Sequence, residues 1–215
     1  MTLSPGYEMC PCEIVVQEFL TLDGVMQAPG RPDEDTRARF AFGGWTAPYF
    51  AEADSAAGEF MAKHLTPTDL LLGRWTYDMF AEYWPRNADN WPGILDVTKY
   101  VVSTTLNDTQ VADSGWKNSK LLKSIDDVKV LKSSEDSALK VIGSSVLTQS
   151  LLAQDLVDEL VLMTFPVVLG SGKRLFAEGA SPTAFRMTEG FVAPNGVSFA
   201  HYEKAGSVET GIVGA

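Results

Sequence analysis

Val141-Ile142-Gly143-Ser144-Ser145-Val146-Leu147 reads as the end of a buried strand, a glycine turn and the start of a helix. An apolar, β-branched run that gives way to glycine, two serines and a helical pattern is the junction expected of an α/β protein. Glycine lets a ligand approach the backbone closely, and the first amides of a helix present unpaired donors at a positive dipole end. Together with two hydroxyls, that is what a diphosphate requires. A simple helix N-cap, for which serine is also favoured, accounts for the same residues.

Three more strand ends repeat the theme in order: Leu22-Asp23-Gly24, Gly73-Arg74-Trp75-Thr76-Tyr77 and Val101-Val102-Ser103-Thr104. Loops at the carboxyl ends of sheet strands are where α/β proteins bind nucleotides. Arg74 can hold a phosphate bidentately, with the Thr76 hydroxyl beside it; the other reading is an ion pair from Arg74 to Asp78 one turn on. Ser103 and Thr104 suit a ribose or its phosphate, or merely end a strand as turn residues. Asp23 and Gly24 make either a turn or the mouth of a pocket for a polar ring. Trp45, behind Gly43 and Gly44, either stacks on a planar substrate or fills the core.

Outward from these junctions, residues 13–22, 69–73, 100–103, 120–122, 138–142 and 160–169 read as strands. Helices are expected over residues 51–64, 76–83, 125–133 and 144–153. Residues 183–192 and 197–203, joined by Pro194-Asn195-Gly196, form a terminal hairpin. The expected architecture is α/β: a central mixed, mostly parallel sheet flanked by helices, with a C-terminal antiparallel hairpin. One domain spans residues 13–204, with a disordered tail over 1–12 and another tail over 205–215. Gly170 and Gly172 form a turn, since no third glycine completes a dinucleotide fingerprint there.

Composition narrows the partners. The 215 residues carry a net charge of −11, which repels nucleic acid. No apolar run is long enough to span a bilayer, and residues 1–12 lack the basic and apolar segments of a signal peptide. A cytoplasmic protein is expected. Cys10 and Cys12 flank one proline, and His64 and His201 lie far from them, so exposed tail thiols and no metal site are expected.

The ordered set of motifs resembles the dihydrofolate reductase-like family, in the branch of the C-terminal reductase domain of the bifunctional riboflavin-pathway deaminase-reductase. Leu22-Asp23-Gly24-Val25-Met26, Leu72 to Tyr77, Lys99 to Ser103 and Val141 to Leu147 carry it. So do Leu156 to Leu160 and the run from Pro166 to Phe176. The resemblance implies NADPH as cofactor, a small-molecule substrate and a homodimer. It assigns Arg74 and Thr76 to the 2′-phosphate and diphosphate side, Ser103 to the adenosine end, and Gly143, Ser144, Ser145, Val146 and Leu147 to the diphosphate. Gly24, Gly73 and Thr104 join the cofactor set. Asp23 falls near the nicotinamide as the polar group at the reaction centre, with Trp45 and Tyr77 lining the ring pocket.

Two departures stand out. The family often has glycine where this chain has Ser144, and a Cβ there is expected to narrow the phosphate approach. No motif identifies the substrate-binding carboxylate of true dihydrofolate reductases, for which Glu52, Asp54 and Glu59 are candidates. The implied activity is hydride transfer to a C=N or C=O bond of a pterin- or pyrimidine-like molecule. The alternatives are the riboflavin-pathway 5-amino-6-(5-phosphoribosylamino)uracil reductase, with Arg31, Arg37 and Arg39 as a second basic cluster, and a non-catalytic ligand-binding protein of the same fold.

Overall fold

The computed structural model describes residues 12–51, 54–134 and 137–214. Eight strands form one sheet: β1 Ile14–Thr21, β2 Asp69–Gly73, β3 Lys99–Val102, β4 Ser119–Leu122, β5 Leu139–Ile142, β6 Glu159–Phe165, β7 Ala184–Val192 and β8 Ser198–Gly206. Their order is β4-β3-β2-β5-β1-β6-β8-β7. The first six run parallel, and β8 and β7 add an antiparallel edge. Helices α1 Ala47–Phe50, α2 Ser55–His64, α3 Arg74–Tyr83, α4 Asp108–Asp113, α5 Ile125–Ser134 and α6 Ser145–Ala153 connect and cover it. This is the mixed α/β architecture expected from the sequence. No helix of the described residues is long and apolar enough to cross a membrane.

Strand alternation distributes the core over both faces. Ile14, Val16 and Leu20 of β1 point to one side, where they cluster with Val128 and Leu131 of α5 and with Leu147 and Leu151 of α6. Val15 and Phe19 point to the other, toward Phe60 of α2 and toward Trp45 in the loop before α1. In β2, Leu71 joins the first cluster, whereas Leu70 and Leu72 pack with Tyr77 of α3 and with Trp116. Coverage on both faces explains why these strands read as continuous apolar runs.

The connections place the site. From β2 the chain passes through α3 to β3, toward one edge of the sheet. From neighbouring β5 it passes through α6 to β6, in the opposite direction and across β1. The gap between β2 and β5 is therefore a topological switch point, the position at which open α/β sheets leave a crevice beyond their strand ends.

Several boundaries shift for local reasons. β6 ends at Phe165 rather than at residue 169, because Pro166 has no N–H to continue the ladder. α2 begins at Ser55, where the Asp54 carboxylate accepts the Ala57 N–H at 2.8 Å as an N-cap. α4, absent from the sequence expectation, is a short turn held by a reciprocal capping box between Asn107 and Gln110. Cys12 is 2% exposed and donates to the Ser137 carbonyl, so its thiol is not on an open tail. Cys10 and the rest of residues 1–11 lie outside the described residues.

Candidate active site

A cavity of about 860 Å³ opens along the carboxyl ends of the parallel strands, near the top of the usual range for small-molecule sites. Its walls include Gly73, Arg74, Thr76, Ser103, Thr104, Gly143, Ser144, Ser145, Val146 and Leu147, all singled out from the sequence. Gly24, the remaining cofactor expectation, does not line it.

Two helix N-termini face this cavity, and neither is capped by a side chain: α3 follows Gly73 and α6 follows Ser144. Their first amides thus offer donors and partial positive charge. The two starts are stitched together across the switch point. Gly73 N–H donates to Ser144 Oγ at 2.9 Å, and Ser144 N–H donates to Thr76 Oγ1 at 3.0 Å. Gly143 takes a positive φ of 62°, and a Cβ there would lie 3.1 Å from Thr76 Oγ1. Glycine is thus required for both backbone conformation and close approach. Ser144 itself sits in the left-handed region at φ 59°. Its side chain is committed to β2 through Gly73, a tie that the expected narrowing of the phosphate approach did not anticipate.

Arg74 makes the ion pair to Asp78 that the sequence offered as one of its two readings, and it does so at the cavity wall. Its Nε reaches Asp78 Oδ2 at 3.3 Å, while Nη1 donates to Thr105 Oγ1 at 2.7 Å. The side chain is 44% exposed and lies against the loop after β3. Ser103 Oγ caps that loop by accepting the N–H groups of Thr105 and Leu106. Lys123, which also lines the cavity, donates to the Leu106 carbonyl and adds a second positive charge here. The sequence reading missed it because it follows a short strand and carries no motif.

A more consequential omission is Glu18. It is 4% exposed, lies in the middle of β1 and lines the cavity. Its Oε1 has no hydrogen-bond partner. Burial pushes its pKa well above the ordinary carboxylate value; the Gly143 N–H opposes this and the Glu34 charge adds to it. The neighbouring Gln17, 3% exposed, also carries an unpartnered buried Oε1 at the cavity. Buried polar atoms left without partners are rare enough to mark a place where a ligand completes the bonding. Gln17-Glu18 interrupts an otherwise apolar strand, and that interruption was the available signal.

The residues expected to contact substrate are elsewhere. Asp23 does not line the cavity. Its carboxylate is consumed by Thr21 Oγ1 at 2.6 Å, the N–H groups of Leu169 and Gly170 at 3.2 and 2.9 Å, and Arg174 at 3.2 Å. The Thr21 hydroxyl and these amides depress its pKa, so it clamps a turn as an anion and has no proton to give near neutrality. Gly24 shares that turn, with φ 76° and its carbonyl accepting the Leu175 N–H. Trp45 is a core residue, edge-on to Phe165 with its ring N–H on the Gln27 carbonyl. Tyr77 is 1% exposed, and its hydroxyl is paired with Ser114 at 2.8 Å. Among the carboxylates considered for substrate, Asp54 is an N-cap, Glu59 is exposed and Glu52 lies outside the described residues.

Trp75 takes the place at the cavity that Trp45 does not. It is 46% exposed at the start of α3, with the Arg37 guanidinium 3.8 Å above its ring centroid. Asp35 holds Arg37 through two bonds of 2.7 and 2.6 Å and also holds Lys173 at 2.6 Å. Burial pushes the Asp35 carboxyl up, but the two cations outweigh it and bring its pKa down to about 2. Arg31 pairs with Asp33 at 3.8 Å. Arg31 and Arg37 are thus matched by acids of this long loop, and Arg39 is exposed and does not line the cavity.

This fold and switch-point cavity define a dihydrofolate reductase-like protein. Three solved structures share it. One is a candidate riboflavin biosynthesis protein from Shewanella sp. PV-4: TM-score 0.56, 22% identity, covering 89% of this chain and 98% of that one. Dihydrofolate reductase from Enterococcus faecalis, complexed with NADP(H) and RAB-propyl, gives 0.52 and 13%, covering 90% and 96%. A pyrimidine reductase-like protein from Corynebacterium diphtheriae gives 0.53 and 13%, covering 90% and 92%. The uncharacterised protein YyaP of Bacillus subtilis strain 168 is 31% identical over 115 residues, a match spanning 51% of this chain and 59% of that protein. The RibD C-terminal domain model matches residues 13–199, and the chain belongs to that family. Membership supports the reductase class expected from the sequence.

Proposed function

We propose that this chain is an NADPH-dependent reductase that transfers hydride to a C=N or C=O bond of a small, planar, pterin- or pyrimidine-like molecule. The observation that carries this reading is the meeting of two uncapped helix N-termini with Arg74 at a switch-point cavity. NADPH would supply the hydride. The α6 amides and the α3 start fit its diphosphate, and Arg74, Ser103 and Lys123 fit the phosphorylated adenosine end. The hydride must be matched by a proton on the substrate heteroatom. Glu18 is the group suited to give it: a buried carboxyl kept neutral by desolvation can donate from Oε1 and be reprotonated from solvent. Met26, Phe50 and Trp75 line apolar wall on the same cavity and limit water around a ring.

A phosphorylated pyrimidine as substrate is less well supported, because Arg31 and Arg37 are already matched by Asp33 and Asp35 and Arg39 does not line the cavity. A binding-only protein rested on Ser144, whose hydroxyl is spent on Gly73. The same reading takes the protein as a cytosolic homodimer, which sedimentation of the purified chain checks for the oligomer. The test of the activity is NADPH oxidation by the purified protein across a panel of pterins and pyrimidines. Turnover of a member without a phosphate supports the proposal; tight binding with no turnover of any member would overturn it.

A further inference from the structure

The chain's two histidines, 64 and 201, are brought together by the fold outside the cavity. His64 lies in the last turn of α2 and His201 in the middle of β8, with ring centroids 5.1 Å apart. Glu189 of β7 is the direct cross-strand partner of His201, next to a register irregularity between Met187 and Glu189. Each of the three offers a ligand atom within 4.8 Å of the others. On the other side of the sheet ladder, Glu159 of β6 fixes His201 through Nε2 at 2.8 Å.

The polar accounting at this cluster is incomplete. The His64 side chain is 10% exposed, and its buried Nε2 has no hydrogen-bond partner. Glu189 Oε2 is 3.6 Å away, too far for a hydrogen bond and right for two ligands of one ion to draw together. Lys63 Nζ already contacts that carboxylate, so the position attracts a cation. The carbonyl end of α2 favours one as well.

We propose that His64, Glu189 and His201 bind a borderline divalent transition ion, of which Zn²⁺ is the representative. Two imidazoles and one carboxylate suit such an ion and not Mg²⁺ or Ca²⁺, which take oxygen ligands. Glu159 acts as the outer carboxylate that orients a ligating histidine. Water completes the coordination, and the ion fastens α2 to the β7–β8 hairpin. Lys63 competes with it for Glu189.

Isothermal titration of the full chain with ZnCl₂, with MgCl₂ as control, tests this. One Zn²⁺ per chain is expected, with no heat from Mg²⁺. His64→Gln and His201→Gln should each abolish the site, and Glu159→Gln should weaken it by about 10–100-fold. Lys63→Gln should tighten it, an effect that a purely structural histidine pair would not give. Co²⁺ absorption of the unaltered protein serves as a second measurement that needs no variant. Weak visible bands without thiolate charge transfer support the site, whereas thiolate charge transfer would put the ion on cysteine and overturn it. Absence of binding, or binding that survives both histidine substitutions, also overturns it.

Discussion

Replacing Glu18 by glutamine should stabilise the protein near neutrality while disabling it. The carboxyl is buried with one oxygen unpartnered, and its pKa lies well above 4.5. In the unfolded chain it ionises near 4.5. Between that pH and the folded-state pKa the native state holds the extra proton, so this group lowers stability as pH rises. The loss is about 1.4 kcal/mol for each pH unit in that window. Glutamine has no proton to lose. Urea unfolding of both proteins at pH 3.5 and 5.5 should therefore give equal stabilities at the lower pH, where the unfolded carboxyl is still protonated. At the higher pH the variant should gain by about 1.4 kcal/mol. Its kcat should fall by about 10²–10⁴-fold, the usual loss for a missing general acid, with the cofactor Kd unchanged. A variant that is less stable at both values, by a pH-independent amount, would mean that Glu18 is ionised and paired. The reasoning about its proton would then be wrong.

Other expectations follow from individual contacts. Asp35 has a folded pKa of about 2 against 3.8 unfolded, so its stabilisation is complete above about pH 4 and lost as pH falls through 2. Asp35→Asn should cost about 2 kcal/mol at pH 7 and flatten the acid limb of the stability profile, read by urea unfolding. Gly143→Ala forces an L-residue to positive φ with its Cβ 3.1 Å from Thr76 Oγ1. It should cost about 1–2 kcal/mol and weaken NADPH, and unchanged binding would remove Gly143 from the site. Tyr77→Phe should cost about 1 kcal/mol for the lost Ser114 contact and leave KM alone. A raised KM would return Tyr77 to the substrate pocket.

What could be read from the sequence was whatever the backbone decides. The Gly143 turn, the start of α6 and the strand Asp69–Gly73 all depend on local conformational preferences and on apolar runs that permit one fold class. The glycine and helix-start positions that line the cavity were legible for the same reason, because helix amides and glycines act through the main chain. Side-chain destinations were not. Trp45 and Trp75 have the same chemistry, and only tertiary packing sends one into the core and the other to the cavity wall. Asp23 looked like a pocket acid because its partners, Leu169, Gly170 and Arg174, are distant in sequence. Glu18 was overlooked inside a strand judged by its apolar neighbours, although an acid in a doubly covered strand is itself the anomaly. α4 has a single buried residue, Val111, and offers no periodicity to detect.

The most direct test of the central claim is fluorescence titration of the protein and its Arg74→Ala variant with NADPH and with NADH. The account predicts that the unaltered protein favours NADPH. In the variant NADPH should weaken by about 10–100-fold, the loss of a charged hydrogen-bonding contact, while NADH changes little. Equal weakening of both would contradict the role of Arg74 at the 2′-phosphate, and failure of the unaltered protein to bind either nucleotide would contradict the reductase reading itself.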